Sequence, residues 1–176
     1  SNWNQFARWF TSDYQDEASG ETISPRATQR LDTAFSCINV LSQDVATTGV
    51  PVKQVVNGTR EIIENDAVHR VLNLRANRLM TSFTWKQVSV WHLLGWGNAY
   101  SGVIRDGNGE VLELLPLWPQ DVSIHQIDGE LVYTWKGQVI FDRDILHFKL
   151  FSEDGIEGIA PMTWNSRLAG YKIKQD

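Results

Sequence analysis

The chain has 176 residues, of which 42% are hydrophobic and 21% are charged, and its formal net charge is −5. This is the composition of an ordinary globular protein, long enough for one domain with a core or for a domain plus an extension. The negative charge argues against a surface that grips DNA phosphates, which needs a basic patch. No apolar run approaches the roughly 20 residues of a membrane span. A single cysteine, Cys37, excludes an internal disulfide and a multi-cysteine zinc site.

The first ten residues carry aromatic side chains at helical spacing. Trp3, Phe6 and Phe10 fall on one side of a helix, with Trp9 beside them. A helix this short is marginal alone and needs a surface on which to dock. Two interpretations stay open, a terminus packed on its own domain and an arm that binds a partner. The acidic, polar residues 11–23 predict a linker, so we expect residues 1–23 to be an arm and linker and residues 24–176 to form the domain.

Ser24-Pro25 predicts the start of the longest helix, because Ser is a good N-cap and Pro is tolerated at the first helical position. Apolar residues then recur at steps of three and four up to Gly49, which we expect to cap the helix. We interpret it as an amphipathic helix that packs on the core. The apolar positions are Ala27, Leu31, Ala34, Phe35, Ile38, Leu41 and Val45.

Most of the remaining chain predicts short strands. Asn57-Gly58 joins two β-rich runs into a hairpin, and a short capped helix follows as far as Asn73. Later strands are expected at residues 111–115, 122–127, 130–135 and 145–150. Pro116 and Pro119 argue against central-strand pairing between the first two of these. With a helix expected over residues 161–173, the fold class is α+β, helices packed on a mostly antiparallel sheet of short strands and hairpins.

The stretch Thr81 to Gly109 predicts a helix that ends at Gly95 and Gly97 and leads directly into a strand and a tight turn. On a helical wheel Phe83, Val88, Val90, Trp91 and Leu94 form one broad apolar arc, which we expect to face the core. The bulky residues Trp85, Leu93 and Trp96 lie among polar ones on the other side. This pattern predicts a helix covered twice, by its own domain and by a second domain or subunit. The candidate interface residues are therefore Trp3, Phe6, Trp9, Phe10, Trp85, Leu93 and Trp96.

The sequence contains no recognisable catalytic, cofactor or metal motif. Its histidines are not spaced as metal ligands, and the glycines near Gly95 do not follow a strand as a nucleotide-binding loop requires. Glu153, Asp154 and Glu157 are expected to form a solvated acidic loop. We therefore predict no enzymatic activity, no cofactor and no metal. The enzymatic alternative is a hydrolase that uses His147 with Asp144 or Asp154.

Four motifs, in order, resemble portal proteins of long-tailed, double-stranded DNA bacteriophages. Leu93 to Tyr100 is similar to the family's "LLLWGNAY", and Leu112 to Val122 resembles "L-x-P-L-x-P-x-x-V". Ile145 to Lys149, followed by Asp154 to Pro161, resembles "VLHIK…GLxGLSPI". Ile38 to Ala46 is similar to "I…IS-DVA". The loop Ala76 to Thr81 departs from the family's "PNP-x-MT", because it lacks both prolines.

The resemblance implies a structural subunit of a ring, usually of twelve copies, at one vertex of the capsid. Such a ring is a conduit for DNA packaging and ejection and a head–tail connector in the virion. Its implied partners are the major capsid protein, the terminase large subunit, the head–tail adaptor and double-stranded DNA that passes without sequence-specific binding. Assembly is implied in the host cytoplasm, and no membrane is involved.

The chain would be the N-terminal wing region of such a subunit. Family members are roughly twice as long, so the stem and clip are expected beyond Asp176. The alternative is an isolated protein-binding module or adaptor from a prophage remnant.

Overall fold

A computed structural model describes residues 25–127 and 129–161, with side-chain burial from residue 33 onward. The predicted aromatic arm, the linker with its boundary at residues 23 and 24, the N-cap Ser24 and the predicted helix after Pro161 lie outside the described residues. The chain divides into two units, and the second, Ala34–Asp176, holds every element below except the start of the first helix.

Three helices and eight strands are formed by the described residues, which confirms the α+β class. The helices are α1 (Pro25–Thr47), α2 (Ala67–Asn73) and α3 (Ser82–Trp96). The strands are β1 (Lys53–Val56), β2 (Thr59–Ile62), β3 (Asn98–Arg105), β4 (Val111–Leu117), β5 (Val122–Ile127), β6 (Glu130–Trp135), β7 (Gln138–Ile140) and β8 (Ile145–Lys149). None of the described helices is long and apolar enough to cross a membrane.

The strands form three antiparallel sheets, in the orders β1-β2, β4-β3-β8 and β5-β6-β7. The predicted hairpin at Asn57-Gly58 is confirmed, because both residues have positive φ, at 50° and 80°. Every residue of β1 and β2 is exposed, so this hairpin contributes nothing to the core.

Strand β3 is the centre of the second sheet and is buried along most of its length. On one side, Val103 joins a core with residues of α2, α3 and β4, including Val71, Trp85 and Leu114. On the other side, Tyr100 packs with residues of the third sheet and of β8 in a second core. The order of layers is therefore helices, the sheet around β3, and the β5-β6-β7 sheet.

Helix α1 corrects the prediction of a core helix. Between residues 33 and 47 only Ser42 and Ala46 are buried, while large apolar residues such as Phe35 and Leu41 are exposed. The residues directly after the helix are held by two side chains of α2 and α3. The Lys86 ammonium donates to the Thr48 carbonyl (2.8 Å), and the Asn73 amide exchanges two hydrogen bonds of 2.8 Å with the Val50 backbone.

A predicted strand end is also corrected, because the strand expected over residues 111–115 continues through Pro116, opposite Ser101 of β3, to Leu117. Strand β4 is an edge strand, where proline is tolerated, so its position agrees with the expectation that the prolines exclude central-strand pairing. Strand β7 is a further difference, since no strand was predicted between residues 135 and 145.

Candidate functional site

Helix α3 begins and ends where the sequence predicts. The Thr81 hydroxyl accepts from the Thr84 N–H at 3.2 Å, which caps the first turn. Gly97 ends the helix in a left-handed conformation with φ of 78°, and its N–H donates to the Leu93 carbonyl at 2.8 Å. Gly95 lies inside the last turn, so only the second glycine of the pair is the cap.

The wheel assigned the wrong face of α3 to the core. The buried residues are Ser82, Trp85, Ser89 and His92, whereas Phe83 is 42% exposed and Leu94 is half-buried. Both serines satisfy their hydroxyls on backbone carbonyls, Ser82 on Leu72 and Ser89 on Trp85 (2.8 Å). Small side chains with satisfied hydroxyls let the helix approach the sheet closely. The helix does present apolar side chains on both sides, but the outward side is the apolar arc.

Trp85 is therefore a core residue and is withdrawn as an interface candidate, because its side chain is only 4% exposed. Its indole N–H donates to the Ser101 hydroxyl at 2.9 Å, and its ring meets Phe148 edge-on. The hydrogen bond satisfies a polar group that would otherwise be costly to bury.

The turn from α3 into β3 is a joint between two distant segments of chain. The Leu150 N–H donates to the Gly97 carbonyl at 2.9 Å. A Cβ built on Gly97 would lie 2.5 Å from the Ala160 nitrogen, and one built on Gly158 would collide with the Gly97 carbonyl. Both positions therefore require glycine, because backbone fills the space of a side chain.

The side chain of Asn98, the residue after Gly97, stabilises this joint with two hydrogen bonds. Its side-chain oxygen accepts from the Gly158 N–H at 2.7 Å, and its amide donates to the Gly158 carbonyl at 2.8 Å. Two of the motifs that carry the family resemblance, around Gly97 and around Gly158, thus bind each other directly. Sequence analysis quoted both motifs without predicting this contact.

His147 connects the joint to the third sheet. Its Nε2 lies 3.0 Å from the Asn98 side-chain oxygen, and its Nδ1 lies 3.3 Å from the Tyr133 hydroxyl. Its ring stacks on Tyr100 at 4.4 Å between centroids. Burial, and secondarily the charge of Lys149, lower the pKa of His147 to about 4, so the imidazole is neutral near pH 7.

The two carboxylates that the hydrolase alternative pairs with His147 accept hydrogen bonds from other groups instead. Asp144 accepts from the Arg105 guanidinium at 3.4 Å. Asp154 accepts from the N–H groups of Ile156 and Glu157, and these bonds lower the pKa of its carboxyl. Since both nitrogens of His147 are also engaged, the predicted pairings with Asp144 and Asp154 are not formed.

Four aromatic rings pack together at the end of α3. Trp91, His92 and Trp96 of the helix meet Trp118, which lies just after β4, with centroid distances between 4.8 and 6.1 Å. Burial lowers the pKa of His92 to about 4. Trp96 and its neighbour Leu93 are half-buried, which keeps both as interface candidates. Trp3, Phe6, Trp9 and Phe10 lie outside the described residues and stay predictions.

A cleft of about 430 Å³ lies beside this cluster, between Trp96 and the acidic loop with Glu153, Asp154 and Glu157. Among residues 25–127 and 129–161, no group of three His, Cys, Asp or Glu side chains could hold a metal ion.

Asn77 was also missed by sequence analysis. It lies in the loop that departs from the family's proline pattern. Its side-chain oxygen accepts from the N–H groups of Leu79 and Met80, both at 2.9 Å, and its amide donates to the Leu114 carbonyl at 2.8 Å. This one amide fixes the loop that enters α3, which the two prolines would otherwise stiffen. An asparagine in a polar loop, four residues before the Thr81 cap, was the available signal, because its side chain readily bonds to backbone groups two or three residues on.

The α+β body leaves large apolar residues of α1 exposed, such as Phe35 and Leu41, and contiguous exposed apolar residues mark interaction sites. The chain belongs to the phage portal protein family, whose family model matches residues 32–175. It is 23% identical to the portal protein of Enterobacteria phage HK97 over 161 residues, which are 88% of this chain and 38% of that protein.

Two solved structures share the fold. An HK97-family phage portal protein from Corynebacterium diphtheriae matches with a TM-score of 0.51 and 17% identity, over 76% of this chain and 42% of that one. A chain from the neck of an empty GTA particle, computed with C6 symmetry, matches with a TM-score of 0.57 and 18% identity, over 85% and 44%. The chain thus spans about two-fifths of the length of these relatives.

Proposed function

We propose that this chain is the N-terminal wing region of a portal subunit, with residues 1–23 as its arm and linker, and that it works as a structural part with no catalytic role. The observation that carries the proposal is the family match over residues 32–175. The subunits form a ring at one vertex of the capsid, and the ring is the conduit for DNA during packaging and ejection. Terminase, the head–tail adaptor and the major capsid protein dock on it.

Two further features support this proposal. The exposed apolar residues of α1, such as Phe35 and Leu41, need a partner surface to bury them in a working assembly. The net charge of −5 suits a ring through which DNA must slide, because many phosphate contacts would release counterions and hold the DNA tightly.

Native mass spectrometry and electron microscopy of the full-length polypeptide that contains this sequence test the proposal. We expect a closed ring, near twelve subunits, and loss of packaged DNA in particles whose portal gene is deleted. A strict monomer at every concentration and salt would contradict the ring, and would favour the isolated binding module.

A further inference from the structure

Helix α1 carries an exposed stripe with the spacing of a helix–helix contact. Ala34, Ile38, Leu41 and Val45 follow one another at steps of four, three and four, and we call them the arm stripe. Leu41 is 50% exposed, Val45 is 49% exposed, and the other two are half-buried. This alternation of three and four keeps one face of a helix against a second helix. Within the described part of the chain, nothing covers the arm stripe fully.

Helix α3 carries a second stripe with the same spacing on its outer face. Phe83, Gln87, Val90 and Leu94 also follow at steps of four, three and four, and we call them the receptor stripe. Phe83 is 42% exposed and the others are half-buried. Trp85 and His92, which are buried in the chain's own core, lie on the opposite side of the helix. The receptor stripe is therefore available to a partner while α3 stays packed on the sheet.

The two stripes match in length and in charge. Each covers twelve residues, and its first and last members are about 16 Å apart along the helix axis. Asp44 is the single charged residue of α1 between residues 33 and 47, and Lys86 is the single charged residue of α3. An acid beside one stripe and a base beside the other favour contact between the two and disfavour contact of either stripe with its own copy.

A ring also requires two different surfaces on every subunit. Contacts in a closed ring are heterologous, so that one patch of a subunit meets another patch of its neighbour. The arm and receptor stripes satisfy this requirement within one chain. Thr48 and Val50, which directly follow α1, are held by Lys86 and Asn73, so the C-terminal end of the helix that carries the arm stripe is attached to the body.

We propose that the arm stripe of one copy packs on the receptor stripe of the adjacent copy in the ring. This inference rests on the proposed ring and names the surfaces that close it. It assigns α1 of each subunit to a helix pair with α3 of the next, with Asp44 and Lys86 at the edge of the contact.

Cysteine cross-linking between two single variants tests the inference in the full-length protein. One preparation carries Ile38→Cys and the other Val90→Cys, both with the exposed Cys37 changed to Ser. The two are mixed as dissociated subunits, allowed to assemble and then oxidised. We expect a covalent pair that contains one chain of each kind. Leu41→Cys with Val90→Cys is run in parallel, because the better of the two pairs reports the register of α1 along α3.

Each outcome has a definite meaning. Rings that form without a mixed cross-link overturn this inference and leave the ring intact. A dimer from Leu41→Cys alone would mean that α1 pairs with itself, which also overturns it. Absence of any oligomer overturns the proposed function together with the inference. Leu112→Cys, an exposed leucine on β4 outside both stripes, is the control and should give no mixed product.

A matched pair of substitutions gives a second readout. Leu41→Ser should raise the subunit concentration at half-assembly by about tenfold or more, because it removes a central apolar residue of the arm stripe. Val40→Ser is the control, since Val40 lies on the same helix, is 57% exposed and is off the stripe. It should change that concentration less than about twofold. Equal effects would contradict the assigned face, and unchanged thermal unfolding of dissociated subunits would show that both variants fold.

Discussion

Gly97 has a left-handed backbone, and the space where its side chain would stand is filled by the backbone of residues 158–160. We expect Gly97→Ala to cost about 3 kcal/mol or more in the free energy of unfolding, because strain at φ of 78° adds to a steric clash. Gly109→Ala is the matched control, since Gly109 has φ of 88° but nothing within 4 Å. It should cost about 1 kcal/mol. Urea unfolding measures both, and equal losses would contradict the close contact.

Trp85 should contribute more to stability than Trp91, which is the reverse of what the helical wheel predicts. Trp85→Ala removes a buried ring and leaves the Ser101 hydroxyl without its donor, so we expect a loss of about 3–5 kcal/mol. Trp91→Ala removes a half-exposed ring from the aromatic cluster and should cost about 1–2 kcal/mol. Chemical denaturation of both variants shows which face of α3 is the core face. A larger loss of unfolding free energy in Trp91→Ala would support the face that the helical wheel assigned to the core.

His92 predicts a loss of stability in acid. Its pKa is about 4 in the folded chain against an ordinary 6.5, because burial disfavours the imidazolium. The unfolded chain therefore takes up a proton at this residue as pH falls below 6.5, while the folded chain resists until about pH 4. The contribution of neutral His92 to the free energy of unfolding is complete above pH 6.5. It falls by up to about 3 kcal/mol between pH 6.5 and pH 4, and His92 causes no further loss below pH 4. His147, whose pKa is also lowered to about 4, adds a loss of stability in the same pH window.

His92→Phe should reduce that acid loss, because a phenyl ring keeps the aromatic packing and has no proton to bind. The measurement is the difference in unfolding free energy between neutral pH and about pH 4.5, in the variant and in the unchanged chain. An equal difference in the two proteins would place the acid sensitivity elsewhere.

Among the elements, the segment of residues 151–160 depends on Asn98 for its attachment. Asn98→Ala removes both bonds to Gly158 and the contact to His147 Nε2. We expect amides of this segment to exchange with solvent at least about tenfold faster, while amides of β1 and β2 keep their rates. Asn108→Ala, in the exposed turn after β3, is the control and should leave the segment unchanged. Hydrogen exchange followed by mass spectrometry reads both regions at once.

The sequence predicted where helices and hairpins begin and end better than it predicted which face of a helix is buried. The ends of α3 and the hairpin at Asn57-Gly58 were predicted, because caps and tight turns depend on residues that are adjacent in the chain. The core face of α3 was wrong, because hydropathy cannot show that Ser82 and Ser89 would satisfy their hydroxyls on backbone carbonyls. The surface on which a helix packs decides which side of it is buried. That surface comes from distant segments of the chain, so the local sequence pattern does not show it.

The same limit explains α1 and the joint. The periodicity of α1 was seen correctly, but periodicity does not say whether the surface it fits lies in the same chain. The contact between Asn98 and Gly158 joins residues 60 positions apart, so no window of sequence displays it. The resemblance placed both motifs in one family, and the structure gives the physical reason why they occur together.

For the whole molecule, the proposed assembly depends on apolar burial with one ion pair at its edge. Screening by salt affects exposed charges strongly and apolar contacts little. We therefore expect the subunit concentration at half-assembly to change less than about threefold between low and moderately high salt. Native mass spectrometry or light scattering across a salt series measures it. A steep loss of assembly with salt would indicate an interface made of charges, and Asp44→Asn should leave the salt profile nearly flat.

The contact of Gly97 and Asn98 with Gly158 has a consequence for the order of folding. Residues 98 and 158 are 60 positions apart, but Asn98 is already paired with Lys149 in the β3–β8 ladder, so the joint itself closes only the short segment from residue 150 to residue 158. That closure has a low entropic cost once β3 and β8 are paired and a high one before, so we expect the joint to form late, after this sheet. Substitutions at the joint should therefore accelerate unfolding and leave the folding rate nearly unchanged. The joint therefore slows unfolding of the body and contributes little to the rate at which the sheet forms.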